Sequence, residues 1–397
     1  MTPPLAGLRV IDQTQALAGP YCAMMLGDLG ADVIKIERPG SGDQSRTWGP
    51  PFLGTESTYY LAVNRNKRGM TLNITAAAGR EILYKLVDSA DVFMTNIATV
   101  ASLKKYGLDY DTLRQRNPRL IYASISGYGR VGPRADQFGY DLVAQGESGM
   151  MAISGAPEAG PMRFPTPIAD MTCGLFTLIG ILAALEARHT TGVGQMLDMS
   201  LQEGQMTWLE NYAGAYFATG DEPQQYGNRH PQIAPYEPVQ AKDERWFILG
   251  VGSDNTWRKF CEVAGLDELG NNPRYATNAD RVTYYDELMP AVRSVIRQRT
   301  ADEWLDRLRA ADVPVGKINT VSEALADPHL LERNFIVELE HPSLGMLRSL
   351  ATPVHMSMTP LRYEQHPPLL GEHTAQILAD LGYSPEQIQQ LRADGVT

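Results

Sequence analysis

The sequence predicts an α/β protein, a parallel sheet covered by helices on both faces, with a smaller α/β domain interrupting it. Two observations predict this. In the first half of the chain, short apolar runs alternate with segments of helical spacing, the order that parallel sheets require. Past residue 220 the composition shifts to a polar stretch rich in Pro, Gln and Asn (DEPQQYGNRHPQIAPYEP, 221–238), and a second set of elements follows.

Taken in order, Leu8–Asp12 (LRVID) reads as a strand and Pro20–Leu29 as a helix with proline at its first position. Asp32–Glu37 (DVIKIE) is a second strand, Gly79–Ser89 a helix, and Val92–Met94 a third strand. A short helix at Tyr110–Gln115 leads to the strand Leu120–Ile125. Met171–Leu185 is an apolar run of 15 residues between Asp170 and Glu186, short of the roughly 20 that a bilayer needs, and is read as a buried helix. After the polar stretch come a strand at Arg245–Val251 and amphipathic helices at Asn255–Ala264, Asp286–Arg297 and Ala301–Ala311; a final helix spans His373–Leu381. The pattern is Rossmann-like. Its expected division is a large domain from 1–200 and 326–397, a linker helix at 201–224, and a small domain at 225–325.

Composition narrows the function. The 397 residues carry 46 acidic and 35 basic side chains, a net charge of −11, which argues against nucleic acid as a partner. Three scattered cysteines, Cys22, Cys173 and Cys261, support neither a disulfide framework nor a zinc site. No basic segment followed by an apolar one opens the chain, so a cytoplasmic protein without a membrane span is expected. After the first strand stands DQTQALAGP in place of GxGxxG, so a nicotinamide-dependent oxidoreductase has no support.

Asp170 follows the loop FPTPIA and opens the apolar helix. At that place an aspartate is a favoured helix cap, and position alone favours the cap over catalysis. The same backbone N–H groups and dipole would keep its carboxylate ionised.

Four segments together resemble the family III CoA-transferases, the group of the formyl-CoA:oxalate and carnitine enzymes. They are LAGPYCAMMLGDLGADVIKIERPGSGDQSR (17–46), NRNKRGMTLN (64–73), ADMTCGLFTLIGILAALEARHTTGVGQ (169–195) and PLLGEHTAQILADLG (368–382). The resemblance covers nearly the whole chain. It implies a large Rossmann-like domain built from both chain ends, a small domain, and an interlocked homodimer in which each chain forms a ring threaded by the other; pairing with a homologous second chain is also known in the family. It implies that Asp170 is the nucleophile, that a coenzyme A thioester and a small carboxylic acid are the substrates, and that no cofactor is permanently bound.

It further implies that Arg38, Leu17, Ala18, Leu72 and Asn96 lie along the CoA, with Lys104 or Lys105 on its phosphates. Without the resemblance, such a lysine pair reads as a solvated face. The sequence departs from the family in three places. Leu17 replaces an active-site glutamine, NIATVASLKKYG (96–107) replaces the usual NFRPG wording, and no tetraglycine loop occurs in the middle domain, where GNRHPQIAPY (227–236) stands instead. An oxalate/formate pair is therefore not expected. Tyr140 occupies the position of the histidine base of the α-methylacyl-CoA racemases that share this fold, and a phenol of pKa near 10 is a poor base at neutral pH. Tyr140 is expected to donate a hydrogen bond in the pocket. Arg229 and His230 are candidates for gripping the far carboxylate of a C4–C5 dicarboxylate or hydroxydicarboxylate, such as malate or citramalate, with succinyl-CoA as donor.

Overall fold

Six strands form the central sheet: β1 (Arg9–Gln13), β2 (Asp32–Glu37), β3 (Lys67–Thr71), β4 (Val92–Thr95), β5 (Ile121–Ser126) and β6 (Met196–Ser200). Their order is β3-β2-β1-β4-β5-β6, and every pairing is parallel. The computed structural model describes residues 2–397 and divides them into two units. The first holds the residues up to Met150, Arg163–Thr219 and His329–Thr397; the second holds Met151–Met162 and Gly220–Pro328.

Strand alternation explains the layers of the first unit. Val10, Val33, Val92 and Ile121 point to one face of the sheet and pack with the helices α1 (Ala18–Asp28) and Ile168–Thr191. Their neighbours Ile11, Ile34, Phe93 and Tyr122 point to the other face and pack with α2 (Ala77–Asp88) and with Ile377 and Leu378 from the chain's end. With both faces covered, successive residues in the middle of these strands are apolar, as in Val10-Ile11, Val33-Ile34 and Val92-Phe93, which is why the sequence reveals them. β3 and β6 are not among the predicted strands. β3 is KRGMT, and its first side chain, Lys67, is fully buried with Asp12 of β1 as its partner. No local pattern announces a strand whose polar side chain is matched from 55 residues away.

Between the sheet strands run α3 (Val100–Tyr106), α4 (Tyr110–Arg116) and α5 (Asp141–Glu147). The long helix α6 spans Ile168–Thr191, 24 residues, and α7 (Leu201–Met206) follows β6. α6 crosses α1 closely: a Cβ on Gly174 would stand 2.6 Å from the Ala18 carbonyl oxygen, so only glycine fits there. The expectation of a buried helix here holds on one face only. Ala169, Cys173, Ile181 and Ala184 are in the core, whereas Leu175, Phe176, Ile179 and Leu182 are exposed. Length and composition alone would let α6 cross a membrane, yet its inner face belongs to the core of this unit.

The second unit has a three-stranded antiparallel sheet, β7 (Tyr236–Gln240), β8 (Trp246–Gly250) and β9 (Val315–Lys317), in the order β9-β8-β7. β7 begins inside the polar stretch 221–238, where the sequence shows no strand pattern. Helices α8 (Asp254–Ala264), α9 (Tyr285–Ile296) and α10 (Ala301–Ala310) bury Trp257, Phe260, Leu288, Val292 and Trp304 in one apolar cluster. All three cysteines are buried free thiols.

The Lys67 ammonium donates to Asp12 Oδ2, the Pro20 carbonyl and Asn64 Oδ1, each at 2.9 Å. Replacing it with methionine strands the Asp12 carboxylate in the core, so Lys67→Met should lose about 3–5 kcal/mol of stability, read as a lowered urea midpoint.

Candidate active site

A cavity of about 260 Å³ opens at the carboxyl ends of β1, β4 and β5, where doubly wound sheets bind ligands. Its walls are Gln13 and Gln15–Ala18 after β1, Gln44 and Trp48, Asn96–Ala98 after β4, Ile125–Gly127 on β5, and Gln137–Tyr140, with Leu201 from α7. Asp170 is the one carboxylate in the lining.

Asp170 is not the cap of α6. The helix begins at Ile168 after Pro167, which has no capping side chain, and Asp170 is its third residue. The capping acceptor comes from α5: Asp141 Oδ1 receives the N–H of Ala169 at 2.8 Å and that of Asp170 at 3.4 Å. One turn along α5, Gln145 donates to Asp141 Oδ2 at 2.7 Å and accepts the Phe164 N–H at 2.8 Å. These two side chains fix the loop that leads into α6.

This arrangement overturns the expectation that the helix N-terminus keeps Asp170 ionised. Asp141 has taken the amide donors. Burial, reinforced by the Asp141 charge, lifts the Asp170 carboxyl to about 7. Nearby Tyr59 feels the same surroundings: burial and the charges of Asp170 and Asp141 raise its phenol to about 12, so it stays a proton donor. Its ring meets Trp48, which lines the cavity, edge-on at 4.9 Å.

The wall after β1 is fixed from beneath. Thr14 donates both its N–H and its hydroxyl to Asp12 Oδ1, and its carbonyl receives the Lys35 ammonium at 3.0 Å. Asn96 pairs with the Gln15 backbone in both directions, at 3.1 and 2.9 Å. Burial opposes the charge on Asp12, yet the Lys67 and Lys35 ammonium groups outweigh it and hold the carboxyl below its usual value. Burial lowers Lys67 to about 8, with Asp12 resisting. On the far side, Gly127 and Gly139 touch: a Cβ on either would come within 2.6 Å of the other's Cα.

The other predicted residues fall in three places. Leu17 and Ala18, Arg38, Leu72 and Asn96 follow β1, β2, β3 and β4 and so share the sheet's carboxyl edge. Of these, Leu17, Ala18 and Asn96 line the cavity, Arg38 is exposed, and the Leu72 side chain is buried in the core, leaving only its backbone for a ligand. Lys104 and Lys105 are exposed in the last turn of α3. Tyr140 precedes α5, lines the cavity and is largely exposed. Arg229 and His230 belong to the second unit, where the Arg229 guanidinium lies 3.8 Å over the Tyr285 ring and His230 meets Tyr236 edge-on. Sequence reasoning missed Trp48, Tyr59, Gln44 and the part played by Asp141; only the proximity of Asp141 to Tyr140 in the chain hinted at the last.

A lone carboxylate in a ligand cavity, set on the first turn of a long helix, suits covalent chemistry by an aspartate, and the sequence comparisons decide the class. Residues 5–374 match the sequence profile of CoA-transferase family III. The chain belongs to this family. The transferase is 41% identical over 385 residues to the succinate–glutarate CoA-transferase of Agrobacterium fabrum, covering 96% of each chain. It is 38% identical to the human succinyl-CoA:glutarate CoA-transferase, covering 99% of this chain and 90% of that one. Its fold matches the crystal structure of a CAIB/BAIF family protein from Brucella suis with a TM-score of 0.85 at 39% identity, covering 96% of this chain and 100% of the other.

If Asp170 is the group that must lose its proton, the rate of acyl transfer to the enzyme rises with pH through about 7 and then levels. Asp141→Asn keeps an acceptor for the Ala169 N–H but removes the like charge, so the midpoint of the single-turnover pH profile should move down; an unmoved midpoint would refute the coupling.

Proposed function

We propose that the transferase moves CoA from succinyl-CoA to a C4–C5 dicarboxylate through covalent intermediates on Asp170. The observation that carries this reading is the Asp170 carboxylate, alone in the lining of a cavity at the ligand-binding edge of the sheet. In its ionised form, an Asp170 oxygen attacks the thioester carbonyl, and CoA thiolate leaves a mixed anhydride. The thiolate then attacks the Asp170 carbonyl carbon, releasing succinate and leaving an aspartyl-CoA thioester. The acceptor's carboxylate attacks that thioester and displaces the thiolate, forming a second anhydride. Attack of the thiolate on the acceptor's acyl carbon yields the new acyl-CoA and restores the carboxylate. Each step exchanges one acyl bond for another, so the cycle consumes neither water nor protons.

The chain's own groups support these steps. α1 starts without a capping side chain, so the N–H group of Ala18, at the cavity wall, is a candidate donor to an oxyanion. Protonated Tyr59 can donate a hydrogen bond to the reacting acid. For the nucleotide we retain Arg38 and the backbones of Leu72 and Asn96, with Lys104 or Lys105 on the phosphates. Arg229, held flat on Tyr285, and His230 are our candidates for the acid's far carboxylate on chemical grounds. The two glutarate-named relatives favour a C5 diacid such as glutarate within the proposed class. Buried, unpaired thiols accord with a cytoplasmic setting.

We also propose that two copies associate through the outer face of α6. Leu175, Phe176, Ile179 and Leu182 recur at helical spacing and leave an apolar stripe exposed on the single chain, with Ile179 59% exposed. Ile179→Glu should convert a dimer into monomers in analytical ultracentrifugation, and a monomeric native chain would refute the proposal.

Asp170→Ala should abolish transfer, with a loss of at least about 10³-fold, while CoA thioester binding survives. Hydroxylamine should modify Asp170 only after acyl-CoA is added, detected by peptide mass. A matrix of succinyl-CoA against glutarate, malate, citramalate, oxalate and carnitine, run with the purified chain alone, fixes the acceptor and shows whether a second chain is required.

A further inference from the structure

The segment after β2 contains a buried side chain that the reaction does not use. Asp43 is 1% exposed and lies between two walls of the cavity. Its Oδ1 accepts the Ala16 N–H at 3.0 Å, and the Ser45 N–H and hydroxyl at 2.9 and 2.8 Å. Its Oδ2 receives the Lys35 ammonium at 2.8 Å, and its own N–H donates to Glu37 Oε2 at 2.9 Å. Ala16 belongs to the wall after β1. Ser45 lies in the short helical turn Gln44–Thr47, which with Trp48 forms the opposing wall.

One carboxylate oxygen thus ties together two loops that are 27 residues apart in sequence. Ala16 needs the tie. Its φ of +68° lies in the left-handed region that a residue with a Cβ rarely adopts, and it persists only where neighbouring contacts enforce it. Asn96 grips the residue before it, and Asp43 grips its own N–H. On the other wall, Asp43 caps the turn that presents Gln44 and Trp48.

We propose that Asp43 is a positioning residue: it sets the gap between the Ala16–Ala18 wall and the Gln44–Trp48 wall, and through that gap the length of acid the transferase accepts. Asp43 touches no reacting atom. Its effect is transmitted by the two loops, and Lys35 serves as the counter-charge that lets a carboxylate occupy this buried position. The inference rests on the CoA-transfer reading for the word acid, while the clamp itself rests only on the hydrogen bonds above.

Two variants separate the clamp from simple stability. Asp43→Asn and Asp43→Ala both remove the carboxylate paired with Lys35, leaving it only the charges of Asp12 and Glu37, but only asparagine keeps an oxygen for Ala16 and Ser45. Asp43→Ala should lower kcat/KM for the acceptor acid about 100-fold, the order expected when reacting groups are misplaced by about 1 Å. It should also change the ratio of C4 to C6 diacid by about 5-fold or more, whereas Asp43→Asn keeps the native ratio. If the unpaired lysine prevents folding, the same pair is made in a Lys35→Met background. Hydrogen exchange at the Ala16 and Ser45 amides gives a readout that does not depend on activity: protection is lost in Asp43→Ala and retained in Asp43→Asn. Equal exchange and equal selectivity in the two variants overturn the clamp. Absence of transfer by the native chain overturns the reaction instead, and the exchange measurement still decides the clamp.

Discussion

The active end of this molecule depends on two buried ion pairs, Lys67 with Asp12 and Lys35 with Asp43, all four side chains without solvent exposure. Their desolvation offsets much of their attraction, so a gain in stability does not explain them. What they provide is geometry. The Lys35 ammonium bonds both to Asp43 and to the Thr14 carbonyl, and Thr14 in turn bonds to Asp12, so the two pairs join into one chain of contacts under the first strand's exit loop. That loop carries the cavity wall and begins α1. A hydrophobic core can be repacked in several ways, but a lysine with three acceptors at 2.9 Å fixes its surroundings in one.

A second carboxylate pair works by the opposite principle. Asp141 is given the amide donors at the start of α6, and Asp170, next to it, is left in a poorly solvated cavity with no cation paired to it among the described residues. The difference in surroundings divides their roles: one orders the helix, the other retains a carboxyl poised between its two forms near neutral pH. A carboxylate with its affinity for the proton raised in this way is more basic than an ordinary aspartate.

The parts of this design that were legible in the sequence are those decided locally. The strands DVIKIE and Leu120–Ile125 are readable because both of their faces are buried, and α8, α9 and α10 because one face of each is apolar. β3 was not legible, since its lysine looks solvated until Asp12 is seen beside it. Asp170 stands out in the sequence through resemblance to a family motif rather than through its spacing, and its raised carboxyl is not readable there because Asp141 lies 29 residues away in sequence. Trp48 and Tyr59 carry no motif of their own. Trp48 reaches the cavity from the turn that Asp43 holds, which only folding creates.

The contact between Gly127 and Gly139 bears on how such a pocket can change over time. Backbone there lies against backbone, so no side chain can be introduced without parting the loops. That wall is closed to gradual variation. Gln44 and Trp48 line the same cavity on side chains that can be exchanged singly. Changes in the shape of this cavity therefore arise on one side, with the other acting as a fixed reference surface against which each replacement is tried.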